Sequence, residues 1–477
     1  MKKALSLGLP LLSLFAIGIA GCEDTSSNPA APPTQAEGGF GVDGGGGGGD
    51  AEAPVPSKCP EPTGAPVEHN KDINADETWA AGLHDVTFDI SVRKNATLTI
   101  APCAVVRTVA ARGFQVGSFN AGDGGKMVAK GQADLPIVFQ GKDGARWTSL
   151  QVNSQGVVDL AHVTIKDAGS TSSRGGAALH LVADGTKPLQ PLATVDHVTL
   201  EGALKYGAVL EAHAGFTAAS RDLIVKGSGD MAMRVGGVAV STIPTGSYTG
   251  NTNDAFRFTA SAFVDYIDAD TTVHDRGIPY VLGGEGQFPE LSVNGKDGTA
   301  PLLTIEAGVV LKFSKQASGS SGLFVERAST TVAARGAIRA VGTATKPIVF
   351  TSNETTPAPG DWVGISLRGV PDPRTRIDFA RIEYAGANTG TQGFSCGTPL
   401  RPNPLSNEAA IAIYGEPSSA FVTNTVILKS AANGIERAWT GAVLDFLASN
   451  TFTDITYCRQ TFPKPTAGAC ADPAPCD

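Results

Sequence analysis

The sequence predicts an all-β solenoid, in which the chain coils so that strands of successive coils stack in parallel sheets. Short runs of β-branched and apolar residues alternate with Gly, Asp, Asn and Lys, which is typical of strands and turns. Two different strands recur at one spacing. Residues 198–200 (VTL) precede residues 223–225 (LIV) by 25 positions, and residues 208–210 (AVL) precede residues 233–235 (MRV) by 25. One period shared by two strands indicates stacked coils.

The strand pattern also occurs twice in the chain. Residues 135–139 (LPIVF) lead through a polar turn to Trp147, and residues 346–350 (KPIVF) lead through a longer turn to Trp362. Proline is tolerated at the first position of a strand, where its missing N–H is not needed. The flanking strands repeat in the same order, so we expect an internal duplication. The pattern does not decide between one continuous coil stack and two shorter stacks side by side.

Composition limits the classes of function. The chain has 477 residues, of which 58 are Gly and 17% are charged, below the ~25% of average soluble proteins. Its formal net charge is −9 and it has no long Lys/Arg run, which argues against nucleic acid as a partner. A P-loop, a nucleophile elbow and a dinucleotide-binding glycine motif do not occur in the sequence, and we expect no cofactor.

The N-terminus reads as an export signal. Residues 1–3 (MKK) are basic, residues 4–20 are apolar, and residues 19–22 (IAGC) follow. This ending resembles the lipobox of bacterial lipoproteins. The resemblance implies cleavage before Cys22, a diacylglyceryl group on its thiol, and palmitate among the attached acyl chains, so that the membrane is a partner through the lipid anchor. Because Glu23 and not Asp follows, it also favours the outer membrane. The alternative is an ordinary secretory signal with a chance cysteine.

Residues 23–57 read as a flexible tether. They are rich in Gly, Pro, Ala, Ser, Thr and Asp, with six glycines at 44–49, and cannot bury enough apolar surface to fold. A coil of this length would span roughly 30–35 Å. Residues 38–43 (GGFGVD) match one unit of a calcium-binding β-roll, but that roll needs several units nine residues apart, so we favour a plain linker.

After the tether, the chain resembles right-handed parallel β-helix proteins of the pectin-lyase-like fold, specifically bacterial surface lipoproteins built from such repeats. The resemblance rests on three features: the LTI segments at residues 98–100 and 303–305, the two PIVF blocks with the tryptophan that follows each, and residues 336–344 (GAIRAVGTA). It implies a duplicated β-helix over most of residues 70–460. It says little about activity, because this fold hosts lyases, hydrolases, adhesins and structural stalks. We predict five segments: a signal peptide over 1–21, the lipidated cysteine and tether over 22–57, a first module over 58–260, a second module over 261–457, and a Cys/Pro-rich tail over 458–477.

Six cysteines remain after Cys22, an even number that suggests disulfides in an exported chain. Cys103 takes the place of Gly308 in the second module, and only the first module has an upstream cysteine, Cys59. We therefore predict a Cys59–Cys103 bond. Weaker expectations pair the other four as Cys396–Cys458 and Cys470–Cys476. Zinc is the rival interpretation, but the chain has no C-x-x-C pair and irregular spacings, so we expect no metal here.

Four histidines could form a ladder along the coils. They are spaced 18, 17 and 16 residues apart, at His162, His180, His197 and His213. His162 and His197 precede equivalent strands, so their rings could stack and hold a metal. The same position elsewhere carries Asp222, Arg381 and Asn424 in our alignment. Because this position accepts His, Asp, Arg and Asn, we favour a solvated corner over a metal site.

Carboxylates could support glycoside hydrolysis or a lyase reaction. Asp159, Asp196 and Asp222 each lie just before a strand. However, the signatures of β-helical polygalacturonases are missing, and residues 368–374 (RGVPDPR) are one residue too long for the R-x-P-x-x-R of pectate lyases. Turn aspartates that bond their own backbone are the simpler interpretation, and we name no catalytic residue.

Sugar binding without catalysis would use exposed aromatic rings. The tryptophans are Trp79, Trp147, Trp362 and Trp439, and the register of the middle two favours packing over binding. We therefore expect a lipid-anchored surface protein, exported and held at the outer membrane, that presents a β-helix to an extracellular glycan or surface protein. The alternative is a polysaccharide lyase or glycoside hydrolase with a divergent site.

Overall fold

A computed structural model describes most of the chain after the tether. The described residues are 56–171, 174–185, 189–261, 265–284, 288–296, 298–316, 321–325, 335–389, 395–396 and 408–468. The predictions for the signal peptide, Cys22 and the tether up to residue 55 lie outside them, as does most of the 386–407 insertion. Within the described residues, no helix has the length and apolarity needed to cross a membrane.

The described residues form short strands joined by turns, with three 3₁₀ segments at Lys142–Gly144, Arg174–Gly176 and Gly237–Thr242. The strands of the first half are β1 (Val67–His69), β2 (Glu77–Trp79), β3 (Gly82–Val86), β4 (Ile90–Val92), β5 (Ala96–Ile100), β6 (Ala104–Thr108), β7 (Phe114–Val116), β8 (Gly125–Lys130), β9 (Ile137–Gly141), β10 (Leu150–Val152), β11 (Gly156–Lys166), β12 (Ala177–Val182), β13 (Gln190–Glu201), β14 (Tyr206–Glu211), β15 (Ala214–Phe216), β16 (Arg221–Lys226), β17 (Met231–Gly236), β18 (Gly246–Ser247) and β19 (Asn253–Thr259). Those of the second half are β20 (Thr271–Val273), β21 (Tyr280–Leu282), β22 (Glu290–Val293), β23 (Leu302–Ile305), β24 (Val310–Phe313), β25 (Gly322–Val325), β26 (Ala337–Val341), β27 (Ile348–Ser352), β28 (Gly364–Leu367), β29 (Arg376–Asp378), β30 (Ala380–Glu383), β31 (Ala409–Ile413), β32 (Val422–Thr423), β33 (Val426–Ser430), β34 (Asn433–Arg437) and β35 (Thr451–Ile455).

Each coil lays one strand on each of three faces, and strands of successive coils pair in parallel. Along β5, β6, β9 and β27, every second residue is buried, so alternate side chains enter the interior of the coil. These inward residues form one hydrophobic core that extends from Ile73 to Phe446. The fold is therefore a parallel β-helix, as the sequence predicts.

The described strands form four sheets. In the first module, two faces merge into a 12-stranded sheet, because β11 and β13 each run through a bend at a residue with positive φ, His162 and His197. The third face belongs to a 13-stranded sheet that runs from β4 to β35 through both modules. This sheet shows that the two modules form one continuous β-helix. Two five-stranded sheets complete the second module, in the orders β20-β23-β26-β29-β32 and β22-β25-β28-β31-β34.

The two sequence copies lie on different sheets. Strand β9, from the first PIVF block, is in the 12-stranded sheet, whereas its counterpart β27 is in the 13-stranded sheet. Strand β10, which follows Trp147, is in the 13-stranded sheet, whereas its counterpart β28 is in a five-stranded sheet. This exchange of sheets between corresponding strands occurs after β18, the last strand of the 12-stranded sheet. Isolated bridges from Ala260 to Leu291 and from Ile267 to Val293 then begin a new one.

The tryptophans are packing residues. Trp147 and Trp362 are fully buried, and their indole Nε1 atoms donate to the carbonyl oxygens of Lys166 and Glu383, each at 2.7 Å. The equivalent bonds confirm the predicted packing role in both copies. Trp79 and Trp439 are each 2% exposed, so the described structure offers no exposed tryptophan for sugar stacking.

The predicted Cys59–Cys103 disulfide is present, with Cα atoms 5.3 Å apart. Cys103 has a φ of 64° and Gly308 a φ of 94°, so both lie in the left-handed turn that the repeat alignment equates. Cys396 and Cys458 are each disulfide-bonded, and the backbone N–H of Cys396 donates to Phe462. The specific pairings predicted for these two, and for Cys470 and Cys476, stay predictions. The last two lie outside the described residues.

Candidate functional site

The predicted histidine ladder is only partly present. The rings of His162 and His197 stack at the bend between the first two faces, with centroids 4.7 Å apart. Asp222 and Asn424 also occupy this bend, but in the second module the position that corresponds to His162 is Phe379, with a φ of 47°. Our alignment placed Arg381 there and is wrong, because the strand after the bend begins at Ala380 and carries Arg381 within it.

Three residues at this bend could offer atoms to a metal. Oxygens of Asp196 and Asp222 and a nitrogen of His197 lie within 4.8 Å of one another. However, Arg221 already contacts both carboxylates, at 2.6 Å to Asp196 and 3.6 Å to Asp222. Asp159 pairs instead with Lys130 at 2.7 Å. A cation would have to displace the guanidinium from a solvated corner, so the bend has the geometry of a surface ion-pair network.

A different group of polar residues lies on the outer face of the 13-stranded sheet. Side chains alternate between the two faces of a strand. Leu179 and Leu181 enter the core, so His180 between them points outward, and the same holds for Arg234 and Arg257 between their core neighbours. Cross-strand pairing aligns these residues in one row. We define the outer-face cluster as His180, Tyr206, Glu211, Arg234 and Arg257.

Glu211 joins the basic residues of the cluster. One carboxylate oxygen lies 3.0 Å from Nε2 of His180, and the other accepts from the guanidinium of Arg234. Arg257 donates from Nε to the hydroxyl of Tyr206 at 3.0 Å and from a terminal nitrogen to the carbonyl oxygen of Gly283. These charge-assisted bonds fix the side chains in one arrangement.

Two residues of the cluster are well covered although they lie on the outside of the β-helix. The side chains of His180 and Arg257 are 1% and 7% exposed, whereas those of Arg234 and Glu211 are 19% and 36% exposed. The Nδ1 atom of His180 is buried and has no hydrogen-bond partner among the described residues. A buried polar atom without a partner costs about 1–3 kcal/mol.

An apolar patch adjoins the charged residues on the same outer face. Its members are buried but separate from the main core: Ala177, Tyr206, Val209, Met231, Ala255 and Val281. Its cover includes Gly175, because a side chain there would contact Val209 and the guanidinium of Arg234. The face therefore combines a covered apolar patch with a few fixed polar groups.

A second carboxylate lies beside Glu211. Asp265 is placed over Gly236, so closely that a Cβ on this glycine would overlap its Oδ2 atom. Burial raises the pKa of the Asp265 carboxyl, and the charge of Glu211 adds to this effect, while His213 and Arg234 oppose it. The site therefore places a carboxylate bonded to two basic groups next to a carboxyl whose environment favours its protonated form.

The second module lacks this site. Cross-strand pairing aligns Leu150, Leu179 and Ala208 in the first module, and Ile365, Ile411 and Ile435 in the second. By this register, Ala412 corresponds to His180, and Ala438 corresponds to Glu211. The cluster is thus a property of one copy and not of the repeated coil.

Sequence reasoning found His180 and His213 but missed Glu211, Arg234, Arg257 and Asp265. A usable signal was present in Met233-Arg234-Val235 and Phe256-Arg257-Phe258, where a charged residue stands between two core residues. The alternation predicts that each arginine points outward. Their contact with Glu211 and Tyr206 depends on the stacking register, which the spacing alone does not give.

Comparison with known proteins supports the fold. A family model described as a pectate-lyase-like β-helix domain matches residues 291–376, which lie in the second module. No curated protein and no solved structure matches the chain significantly. The outer-face cluster lies outside the matched segment. The four sheets identify the described chain as a parallel β-helix, and residues 291–376 are similar to the pectate-lyase-like β-helix family.

Proposed function

We propose that this chain is a lipid-anchored surface protein whose β-helix binds an extracellular ligand, a glycan or another surface protein, without chemically changing it. The ligand would contact the outer-face cluster. The lipidated Cys22 would anchor the protein at the outer membrane, and the tether up to residue 57 would hold the β-helix away from the lipid headgroups.

The observation that carries the binding proposal is the buried Nδ1 atom of His180, which has no hydrogen-bond partner among the described residues although Nε2 of the same ring is bonded to Glu211. Native proteins rarely bury a polar atom without a partner. Here the group occurs in one of two repeated copies, next to an apolar patch and to two partly exposed charged residues, Glu211 and Arg234. A ligand would bond to Glu211 and Arg234, the two partly exposed charged residues of the cluster.

The test is a glycan array and a cell-surface pull-down with the mature chain and three variants. We expect Glu211→Gln and Arg234→Gln to weaken binding at least tenfold, because each removes a charged partner of the ligand site. Glu306→Gln is the matched control, since Glu306 also pairs with a histidine, His274, at 2.8 Å and is similarly exposed. Binding that survives both cluster variants would exclude this face as the ligand site.

A second candidate function is hydrolysis or lyase cleavage of a polysaccharide. Asp265 and Glu211 favour it, because burial raises the pKa of the Asp265 carboxyl while Glu211 is bonded to two basic groups, and carboxyl groups in unlike environments can divide acid and base roles. An assay for new reducing ends and for unsaturated sugars decides between the candidates. Turnover that Asp265→Asn abolishes supports catalysis, and binding without turnover supports the first proposal.

The lipid anchor has its own test. Labelled palmitate should enter the wild-type protein in a bacterial host, and Cys22→Ala should lose both the label and the membrane association. Cys22→Ala that stays in the membrane fraction, together with an unlabelled wild type, would exclude lipidation. This result would leave the ligand-binding proposal standing, because the two proposals rest on different residues.

A further inference from the structure

Three aromatic rings lie together where the first coil of the β-helix stacks on the second. His69 is on β1, Trp79 on β2 and His84 on β3. The ring of His69 stacks on that of Trp79 with centroids 3.8 Å apart, and His84 stacks on Trp79 at 5.3 Å. Trp79 also contacts Phe114 of the core at 6.1 Å. The three rings therefore cover the first layer of the core, with Trp79 and His84 only 2% and 4% exposed.

The hydrogen bonds assign the protons of the two histidines. Nε2 of His84 lies 2.8 Å from the carbonyl oxygen of Ala80, which can only accept, so Nε2 carries the proton. In neutral His84, Nδ1 is then an acceptor. Nε2 of His69 lies 2.9 Å from it and must donate. With both rings neutral, each carries its one proton on Nε2.

A further proton does not fit this arrangement. On Nδ1 of His84 it would turn this atom into a donor, so the bond between the rings survives only if His69 moves its own proton from Nε2 to Nδ1, which faces Glu77. The buried His84 ring would then carry the charge. On Nδ1 of His69 it would face Glu77, whose nearest carboxylate oxygen is 3.6 Å away and already accepts from Trp79 Nε1 at 2.7 Å. A charged His69 would have to move toward Glu77, away from its stack on Trp79.

No second counterion faces the pair among the described residues. Glu68, on the strand of His69, is exposed and accepts from the hydroxyl of Thr87. Asp85 follows His84 on its strand, so it points to the opposite face, where Arg107 and Lys142 pair with it. Glu77 is therefore the one carboxylate placed to interact with a charged histidine here.

We propose that the His69–His84 pair makes the first coil an acid-sensitive cap, which opens when the pair is protonated while the rest of the β-helix stays folded. The Cys59–Cys103 disulfide would keep the freed segment attached, because it joins the chain before β1 to the turn before β6. Opening would expose Trp79 and the edge of the next coil, which could then pair with other strands.

The pH direction follows from the burial of the pair. Burial and the neighbouring His84 lower the pKa of His69, while Glu77 opposes this. The open coil, in which histidine has a pKa of about 6.5, therefore takes up protons more readily than the closed coil. The closed state is fully stable above this pH and weakens as the pH falls below it. At pH 5 the open population rises by up to about 30-fold through His69 when its ring stays neutral in the closed coil.

Amide hydrogen exchange of the full chain, followed by mass spectrometry at pH 7.5 and 5.0, tests the proposal. After correction for intrinsic exchange rates, peptides over residues 67–86 should lose protection at least tenfold at pH 5.0. Peptides over Ile348–Ser352 should not. A pH-independent protection ratio between the two regions would overturn the proposal.

Two variants link the effect to the histidines. In His69→Gln the amide can still donate to Nδ1 of His84, so the coil should close but respond less to pH. His274→Gln is the control, since His274 lies in the second module beside Glu306. An equal pH response in His69→Gln and wild type would refute the assignment. If residues 67–86 of His69→Gln are unprotected even at pH 7.5, this variant does not close. The comparison of wild type at pH 7.5 and 5.0 then still tests the proposal.

Discussion

Glu408 makes the stability of the second module depend on pH. Glu408 directly precedes β31 and is 2% exposed. Its carboxylate accepts hydrogen bonds from the backbone N–H and the hydroxyl of Thr389, at 2.7 and 2.8 Å. Burial raises the pKa of the Glu408 carboxyl to about 7, and the two bonds from Thr389 only partly oppose this effect. The folded protein therefore keeps a proton that the unfolded chain releases near pH 4.5.

The size of the effect follows from the two pKa values. Because the folded state binds the proton more tightly, its contribution is complete below about pH 4.5 and is lost as the pH rises through about 7. Between pH 5 and 8 this linkage removes about 2.5 kcal/mol from the free energy of unfolding. Glu408→Gln keeps an oxygen for Thr389 but does not titrate, so it should not show this loss.

Urea denaturation at pH 5, 6, 7 and 8 measures the difference. We expect the free energy of unfolding of wild type, relative to that of Glu408→Gln, to fall by about 2.5 kcal/mol across this range. Glu416→Gln is the control, because Glu416 lies in the same module but is exposed. Parallel pH profiles of stability for wild type and Glu408→Gln would refute the reasoning, because the two proteins differ only in the carboxyl group of residue 408.

Three further changes should alter stability. Cys59→Ser should lower the free energy of unfolding by about 2–4 kcal/mol, measured by urea denaturation without reductant, and Cys103→Ser should match it. Gly236→Ala should cost about 1–3 kcal/mol through overlap with Asp265, whereas Gly185→Ala, which has room for a Cβ, should change the melting temperature little. Trp362→Phe should cost roughly 1 kcal/mol in denaturation experiments because it removes the indole bond to a backbone carbonyl, and an unchanged stability would contradict this role.

Much of the fold follows from sequence pattern. The 25-residue spacing between residues 198 and 223 corresponds to a parallel pairing of Val198 with Leu223 in adjacent coils. Cys103 and Gly308 align because both take a left-handed turn. These features depend on neighbouring residues or on a repeated spacing, so a single sequence is enough to predict them.

The remaining features depend on contacts between coils. The bend at Phe379 differs from our alignment because strand alternation, and not residue similarity, sets the register there. The outer-face cluster depends on which turns cover the outside of a sheet, and alternation says only that Arg234 leaves the core. The exchange of sheets near β18 has no signal in the repeats, since both copies keep the same strand order.

This exchange of sheets has a consequence for how the two copies can evolve. The turn from β11 to β12 leads onto the 13-stranded sheet, whereas the corresponding turn from β30 to β31 leads onto a five-stranded sheet. Corresponding loops of the two copies therefore leave the coil on different sides. The two copies thus present separate surfaces, and a substitution that suits a ligand on one side leaves the other side unaltered.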